Sequence, residues 1–288
     1  MLSAELIKKI DSLFIRSRHR VTDVFSGEYE SAFRGRGIEF EEFREYVPGD
    51  DIRQIDWHVT ARMDKPFVKI YREEREQTIF FLVDSSRSLK FGQKREKLEV
   101  ATELAALLSY AAIKSHDKVG LIIFSDQIEK YIAPKQGRAH VWNIIATLLT
   151  HKPRGTKTDI NQATQFFLNV TRRKTVCFLI SDFLDVDCRD SLRVASFKHE
   201  FVVMRVLDTL ERQLPQLALM DFVDLESGQN KTLDLGGNNT WFGDGYRQTT
   251  KDLTRFLGNN NIDFLDLRAD EDYVEALLKF FMKKDKKR

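Results

Sequence analysis

Cysteine is scarce in this sequence: Cys177 and Cys188 are the only two thiols among 288 residues. Two thiols in a chain of this length do not indicate a disulfide framework, and no cysteine–histidine cluster has the spacing of a zinc site. The segment from Met1 to Phe14 has an amphipathic helical pattern interrupted by charged residues, so it lacks the apolar core of a signal peptide. We therefore expect a cytoplasmic protein.

Long hydrophobic runs and a strong charge of one sign are also absent. No segment approaches the roughly 20 consecutive apolar residues of a membrane-spanning helix. The formal net charge of +2 argues against strong binding to nucleic acid, and the basic stretch at residues 283–288 is interpreted as a solvated tail. The sequence contains neither G-x-G-x-x-G nor G-x-x-x-x-G-K-[ST], so it does not support dinucleotide or P-loop nucleotide binding.

Apolar strands and helical patterns alternate from residue 78 onwards. The run from Thr78 to Val83 combines β-branched and aromatic residues, and a helical pattern follows at about residues 93–114. This alternation predicts an α/β fold, with a mostly parallel central sheet and helices on both faces. Further strands are predicted at residues 119–124, 129–134, 175–180, 200–206 and 262–267, a hairpin at 222–235, and helices at 138–150, 160–170, 189–196, 244–258 and 270–282.

The first 77 residues have a different pattern. We predict a small N-terminal α+β elaboration at residues 1–77, ahead of the main domain at residues 78–288. Val47 to Asp51 has turn chemistry, and Lys65 to Tyr71 alternates like an edge strand. The turn and Trp57 are expected to anchor this part to the sheet.

The N-terminal part is also rich in arginine. The arginines could form a face that binds a partner or an anion, or an internal ion-pair network with nearby carboxylates, which we favour. The arginines concerned are Arg34, Arg36, Arg44, Arg53 and Arg62, and the carboxylates are Glu39, Glu41, Glu42, Glu45, Asp50, Asp51 and Asp56.

Hydroxyl and carboxylate side chains occur at three junctions of the predicted sheet. Asp84, Ser86 and Ser88 follow the first strand, Thr158 precedes a helix, and Asp182 directly follows another buried strand. In open α/β sheets, ligands bind at the carboxyl ends of the strands. Hard oxygen ligands of this kind are preferred by Mg²⁺ and Mn²⁺. The sequence therefore predicts a metal site formed by these five residues.

Other interpretations of these residues remain open. The hydroxyls could simply satisfy backbone donors in a capped loop, and Thr156 competes with Thr158 as the ligand. Asp84 could also be the nucleophile of a phosphatase, although Ser86 stands where that chemistry usually has a second carboxylate. A metal-dependent hydrolase that uses Asp84 and Asp182 is therefore an alternative function.

The order Asp-x-Ser-x-Ser, then Thr, then Asp resembles the metal-ion-dependent adhesion site of von Willebrand factor A domains. The resemblance implies that Asp84, Ser86, Ser88 and Thr158 bind the metal directly or through water, and Asp182 through water. It also implies a von Willebrand factor A-like fold. The metal would bridge to a carboxylate on a partner protein.

A second resemblance covers essentially the whole chain. The N-terminal motifs are similar to the signature of the bacterial family called domain of unknown function 58. They are Gly35-Arg36-Gly37, Glu39-Phe40, Arg44-Glu45-Tyr46, Pro48-Gly49-Asp50-Asp51-Ile52-Arg53, Ile55-Asp56-Trp57 and Ala61-Arg62. The resemblance establishes no enzymatic activity, and we predict a non-enzymatic interaction protein. Its implied partner is a MoxR-type AAA+ ATPase, which is regarded as chaperone-like, or the client of that ATPase. A vestigial metal site, with partners docking on the N-terminal block, is the weaker alternative.

Overall fold

The structure, a computed structural model, describes residues 4–33, 37–63, 65–74, 76–184, 188–212, 219–223, 230–234 and 240–286. Its elements in chain order are α1 (Ala4–Arg20), α2 (Asp23–Phe33), β1 (Gly37–Glu45), α3 (Trp57–Met63), β2 (Phe67–Glu74), β3 (Thr78–Asp84), α4 (Lys97–Lys114), β4 (Lys118–Phe124), β5 (Ile128–Lys135), α5 (Arg138–Thr150), α6 (Ile160–Val170), β6 (Val176–Ser181), α7 (Arg189–Lys198), β7 (Glu200–Leu207), α8 (Thr209–Arg212), β8 (Leu219–Val223), β9 (Asn230–Asp234), α9 (Thr240–Asn259), β10 (Asp263–Arg268) and α10 (Tyr273–Asp285). Short 3₁₀ helices lie at Ile52–Gln54 and Arg87–Lys90. Among the described residues, no helix is both long enough and apolar enough to cross a membrane.

Six strands form the central sheet, in the spatial order β10–β7–β6–β3–β4–β5. Neighbouring strands run parallel except for β4 and β5, which pair antiparallel at one edge. Helices pack on both faces of this sheet. The predicted fold class is therefore confirmed, and β8 and β9 pair antiparallel as the predicted hairpin requires.

The strand β3 lies inside the sheet and divides its side chains between two cores. Ile79 and Phe81 face a core shared with α1, α2, α4, α5 and α10, whereas Phe80 and Leu82 face a core shared with α6, α7 and α9. Burial on both faces explains why the sequence of β3 is a continuous apolar run. Gly120 on β4 pairs with Phe80, and a Cβ at this glycine would collide with the phenyl ring.

The helix α2 is absent from the sequence-based prediction, and it packs into the same core as the sheet. The ring of Phe33 lies 5.3 Å from that of Phe178 on β6 and 5.6 Å from that of Phe281 on α10. Leu13 of α1 is also buried in this core. The domain division at residue 77 stays a prediction, while the packing joins α1 and α2 to the core of the sheet.

The strands β1 and β2 form a separate two-stranded antiparallel sheet. Asp56 caps α3 by accepting hydrogen bonds from the backbone N of His58 (2.8 Å) and Val59 (3.1 Å). Asp56 also pairs with Lys69 of β2 at 2.7 Å. The prediction that Trp57 is an anchor is wrong, because this residue is 66% exposed. The contact with β2 is made by its neighbour Asp56 instead.

One of the N-terminal arginines forms an ion pair of the predicted kind. Arg44 Nη2, near the end of β1, lies 2.8 Å from Oδ1 of Asp50 in the turn that follows. Arg34 and Arg36 lie outside the described residues. The ion-pair interpretation therefore holds for Arg44.

Candidate metal site

Asp84 is the last residue of β3, and the chain turns sharply after it. Its carboxyl group is fully buried, and Oδ1 accepts a 2.8 Å hydrogen bond from the backbone N of Ser86. Ser85 donates to the carbonyl of Phe124, at the end of the neighbouring β4, through both its N (2.8 Å) and its Oγ (2.9 Å). These bonds fix the loop at the carboxyl edge of the parallel strands, where ligands of open α/β sheets bind.

The hydroxyl groups predicted as ligands are brought together with Asp84. Ser86 Oγ lies 2.9 Å from Ser88 Oγ, and Thr158 Oγ1 donates a 3.2 Å hydrogen bond to Asp84 Oδ2. Ser181, at the end of β6, donates to the same Oδ2 at 2.7 Å. Direct contacts therefore link four of the five predicted residues, and Ser181 joins them as a residue that the sequence analysis did not assign to the site.

Asp182, the fifth predicted residue, directly follows β6 and is buried. Burial, and then the negative charge of Asp182, raise the pKa of Asp84 to about 7, although hydrogen bonds from Ser181 and Ser86 act in the opposite direction. The buried site therefore disfavours the ionised form of Asp84 as long as no positive charge balances it.

The residues present fit a divalent cation. Their donors are hard oxygen atoms from two carboxylates and several hydroxyls, and Mg²⁺ commonly binds to one or two carboxylates while keeping several waters. A cation would also favour the ionised form of Asp84. No group of three or more His, Cys, Asp or Glu side chains within the described ranges could hold a metal. A cation here would therefore depend on hydroxyls and water as well as on carboxylates.

Glu129 of β5 holds the loop that carries Thr158. Its Oε1 accepts hydrogen bonds from the backbone N of Arg154 (2.9 Å) and Gly155 (2.8 Å), and from Ser125 Oγ (2.8 Å). Burial alone would raise the pKa of Glu129, but these hydrogen bonds outweigh it and lower the pKa. The anionic side chain therefore positions the loop from the edge of the sheet.

The two candidate threonines make different contacts. The carbonyl of Thr156 accepts a 3.2 Å hydrogen bond from the backbone N of Arg87, which ties its loop to the loop after β3. Thr158, two residues later, directs its hydroxyl to Asp84. The hydroxyl of Thr158 therefore lies beside Asp84, and its role as a metal ligand stays a prediction.

Lys97 is a neighbour of the site that the sequence analysis missed. It begins α4, which starts later than the predicted position near residue 93, and it is fully buried. Its Nζ lies 2.8 Å from Asp182 Oδ2 and 2.5 Å from Glu211 Oε1. Burial raises the pKa of Glu211, and the charge of Lys97 acts against that rise. A lysine in the first turn opposes the helix dipole, and this mismatch is a signal that sequence reasoning could have used.

The fold and the site define an α/β protein with a cluster of hydroxyls and carboxylates at the carboxyl edge of its parallel strands. The family model described as "Protein of unknown function DUF58" matches residues 42–252, which is more than half of the chain. The chain belongs to this family. The predicted family is therefore confirmed, and the matched residues include the motifs from Arg44 onwards.

Curated and solved proteins include several similar chains. "Uncharacterized protein Rv1480" of Mycobacterium tuberculosis (strain ATCC 25618 / H37Rv) is 27% identical over 281 residues, covering 96% of this chain and 89% of the relative. A solved aerotolerance-related membrane protein from Bacteroides fragilis NCTC 9343 is 15% identical with a TM-score of 0.49, covering 74% of this chain and all (100%) of that chain. The SpRpn10 VWA domain is 10% identical with a TM-score of 0.40, covering 70% and 93%. Likeness at this level gives no information about the site.

Proposed function

We propose that this protein is a non-enzymatic interaction module that binds its partner through a metal ion. Asp84, Ser86, Ser88 and Thr158 would hold Mg²⁺ or Mn²⁺ directly or through water, and Asp182 through water. The observation that carries the proposal is the buried carboxyl group of Asp84, which hydroxyl groups from neighbouring loops surround. A carboxylate of the partner protein would complete the coordination.

The exposure of the ligands gives a direction of approach for the partner. Asp84 and Ser86 are buried, whereas Ser88 and Thr158 are partly exposed. A partner carboxylate would therefore reach the cation from the side of Ser88 and Thr158. Mg²⁺ keeps bound waters that such a ligand can replace, so the contact would be reversible.

The partner that we propose is a MoxR-type AAA+ ATPase or its client, in the cytoplasm. This part of the proposal rests on the resemblance of the N-terminal motifs to the family signature. The protein would then act in the assembly, maturation or regulation of a client complex. An acidic side chain of that partner would supply the bridging ligand.

Pull-down of the MoxR-type ATPase with and without EDTA tests the metal bridge. Wild-type protein is expected to retain the ATPase in Mg²⁺ and to lose it in EDTA, and Asp84→Ala is expected to lose it in both. Asp190→Ala is the matched control, because Asp190 is an exposed carboxylate at the start of α7. Equal retention by wild-type protein and Asp84→Ala, in both buffers, would contradict the metal bridge.

A specific observation also favours a second docking mode, in which the metal site is vestigial and partners dock on the N-terminal block. Four apolar side chains of this block are more than half exposed: Val47, Ile52, Trp57 and Met63. Isolated exposed apolar residues are ordinary, but four within one short segment are a candidate contact surface. Retention that resists EDTA but is lost in Trp57→Ser would support this mode over the metal bridge.

The proposed lack of catalysis is supported by the surroundings of Asp84. Both of its carboxylate oxygens accept hydrogen bonds, and Ser86 occupies the position where an aspartyl-phosphate enzyme usually has a second carboxylate. Incubation with Mg²⁺ and p-nitrophenyl phosphate is expected to give no turnover. Turnover that Asp84→Asn abolishes would instead support the hydrolase.

A further inference from the structure

Lys97 places a buried positive charge beside the candidate metal site. Its side chain has no exposed area, and the side chain of its partner Asp182 is 2% exposed. The second partner, Glu211 of α8, has a side chain that is 16% exposed. The lysine therefore neutralises charge on one of the predicted metal ligands from inside the protein.

Hydrogen bonds hold the second partner of the lysine in place. Glu211 Oε2 accepts a 2.8 Å hydrogen bond from the backbone N of Asp208. Asp208 in turn accepts hydrogen bonds from the backbone N of Gln93 (3.0 Å) and of Leu210 (2.9 Å). Because α8 and the loop before α4 are tied together here, Glu211 stays beside Lys97.

We infer that Lys97 sets the cation affinity of this site as an internal counter-cation of Asp182. The inference rests on the proposed function, because it concerns the same cation. The charge of Lys97 repels an incoming divalent ion. Lys97 also competes with the water bound to that ion for the carboxylate of Asp182. The affinity of the protein alone is therefore kept low, and the negative charge of a partner carboxylate raises it.

The geometry gives Lys97 and Glu211 opposite effects on the cation. Removing the positive charge of Lys97 leaves Asp182 free to bind the water shell of the cation. Removing the negative charge of Glu211 leaves the lysine paired with Asp182 alone and makes the surroundings more positive. A lysine with a merely structural role would instead weaken binding in both variants, because either change would disturb the site.

Titration of the purified full chain with Mn²⁺, with free Mn²⁺ followed by electron paramagnetic resonance, tests whether the Lys97 and Glu211 variants change the Mn²⁺ affinity in opposite directions. Lys97→Met is expected to bind Mn²⁺ about tenfold more tightly than wild-type protein, or better, and Glu211→Gln several-fold more weakly. Lys94→Met is the matched control, since it removes the same charge from an exposed side chain and is expected to leave the affinity unchanged. The melting temperature of each metal-free protein shows whether it is folded.

The outcomes separate this inference from the proposed function. Wild-type Mn²⁺ binding that Lys97→Met leaves unchanged or weakens overturns the inference and leaves the metal site standing. No Mn²⁺ binding in either wild-type protein or Lys97→Met overturns both. If Lys97→Met does not fold, Lys97→Gln replaces it, because glutamine removes the charge but keeps a polar side chain for the two carboxylates, and unchanged or weaker Mn²⁺ binding in that variant overturns the inference.

Discussion

The hydroxyl of Tyr29 donates a 3.3 Å hydrogen bond to Asp117 Oδ2, which joins α2 to the residue before β4. Oδ1 of the same carboxyl group accepts a 2.8 Å hydrogen bond from the backbone N of Gln77, just before β3. Burial raises the pKa of Asp117 to about 7 against these hydrogen bonds, and the charges of Glu30 and Glu76 add to the rise. One buried carboxyl group therefore links α2 to the starts of two central strands.

This arrangement predicts a pH-dependent stability. The contribution of Asp117 is complete below the ordinary pKa of 3.8 and is lost as the pH rises through about 7, because the unfolded chain ionises first. Between pH 5 and pH 8, wild-type protein is expected to lose about 2–3 kcal/mol of unfolding free energy relative to Asp117→Asn. Urea denaturation of both proteins at the two pH values measures the difference. Parallel pH profiles would show that Asp117 is ionised throughout.

The hydrogen bonds of Glu129 predict that a residue outside the metal shell controls the position of Thr158. Glu129→Ala removes the acceptor for the backbone N of Arg154 and Gly155. We expect it to lower the unfolding free energy by about 1–2 kcal/mol, because the exposed amide of Arg154 and the partly buried amide of Gly155 both lose their acceptor. We also expect weaker Mn²⁺ binding, since the loop would no longer hold the threonine hydroxyl beside Asp84. Denaturation and Mn²⁺ titration measure the two effects.

Glu129→Gln is the control for this prediction. Glutamine keeps an oxygen acceptor for the two backbone amides but has no negative charge, so its effects are expected to be smaller than those of alanine. Mn²⁺ binding by Glu129→Ala that equals that of wild-type protein would show that Thr158 does not depend on this anchor.

The aromatic contacts of Phe33 predict that α2 is part of the main folding unit. Phe33→Ala leaves a cavity between the rings of Phe178 and Phe281, and we expect a loss of about 3–5 kcal/mol in unfolding free energy. Val24→Ala on the same helix is the control: Val24 is 68% exposed, so its truncation is expected to change stability by less than about 0.5 kcal/mol. Equal, small effects of the two changes would mean that α2 folds apart from the sheet, as a division at residue 77 would allow.

Much of the central fold follows from the sequence because its strands are buried on both faces. The strands β3 and β6 are continuous apolar runs that polar residues bound, and in β7 only Arg205 interrupts the apolar run, so the positions of these strands can be read locally. The helix α2 was missed because Ser26, Gly27 and Glu28 interrupt its apolar spacing. Its burial depends on Phe281, near the far end of the chain, and no local pattern shows that contact.

At the site, too, local sequence patterns locate some residues, whereas contacts with distant parts of the chain locate others. Asp84 and Asp182 could be placed together because each follows a buried strand, and the carboxyl ends of parallel strands meet at one edge. Lys97 could not be placed there, because its two partners lie 85 and 114 residues further along the chain. Its contact with Asp182 depends on where α4 begins, and its contact with Glu211 depends on the fold of α8.

A last prediction concerns the cost of keeping Asp84 as a carboxylate. Burial and the charge of Asp182 disfavour its ionised form, so Asp84→Asn is expected to leave the metal-free melting temperature unchanged or to raise it by about 2–4 °C. The same variant is expected to lose the rise in melting temperature that Mn²⁺ gives the wild-type protein, because a ligand that binds the folded state stabilises it. Asp190→Asn, which changes an exposed carboxylate, is expected to match wild-type protein in both measurements. A variant that is less stable without metal but still stabilised by Mn²⁺ would make Asp84 a structural residue and place the metal elsewhere. A gain in stability together with the loss of the Mn²⁺-dependent rise in melting temperature would instead indicate that the Asp84 carboxylate binds the cation and destabilises the metal-free fold.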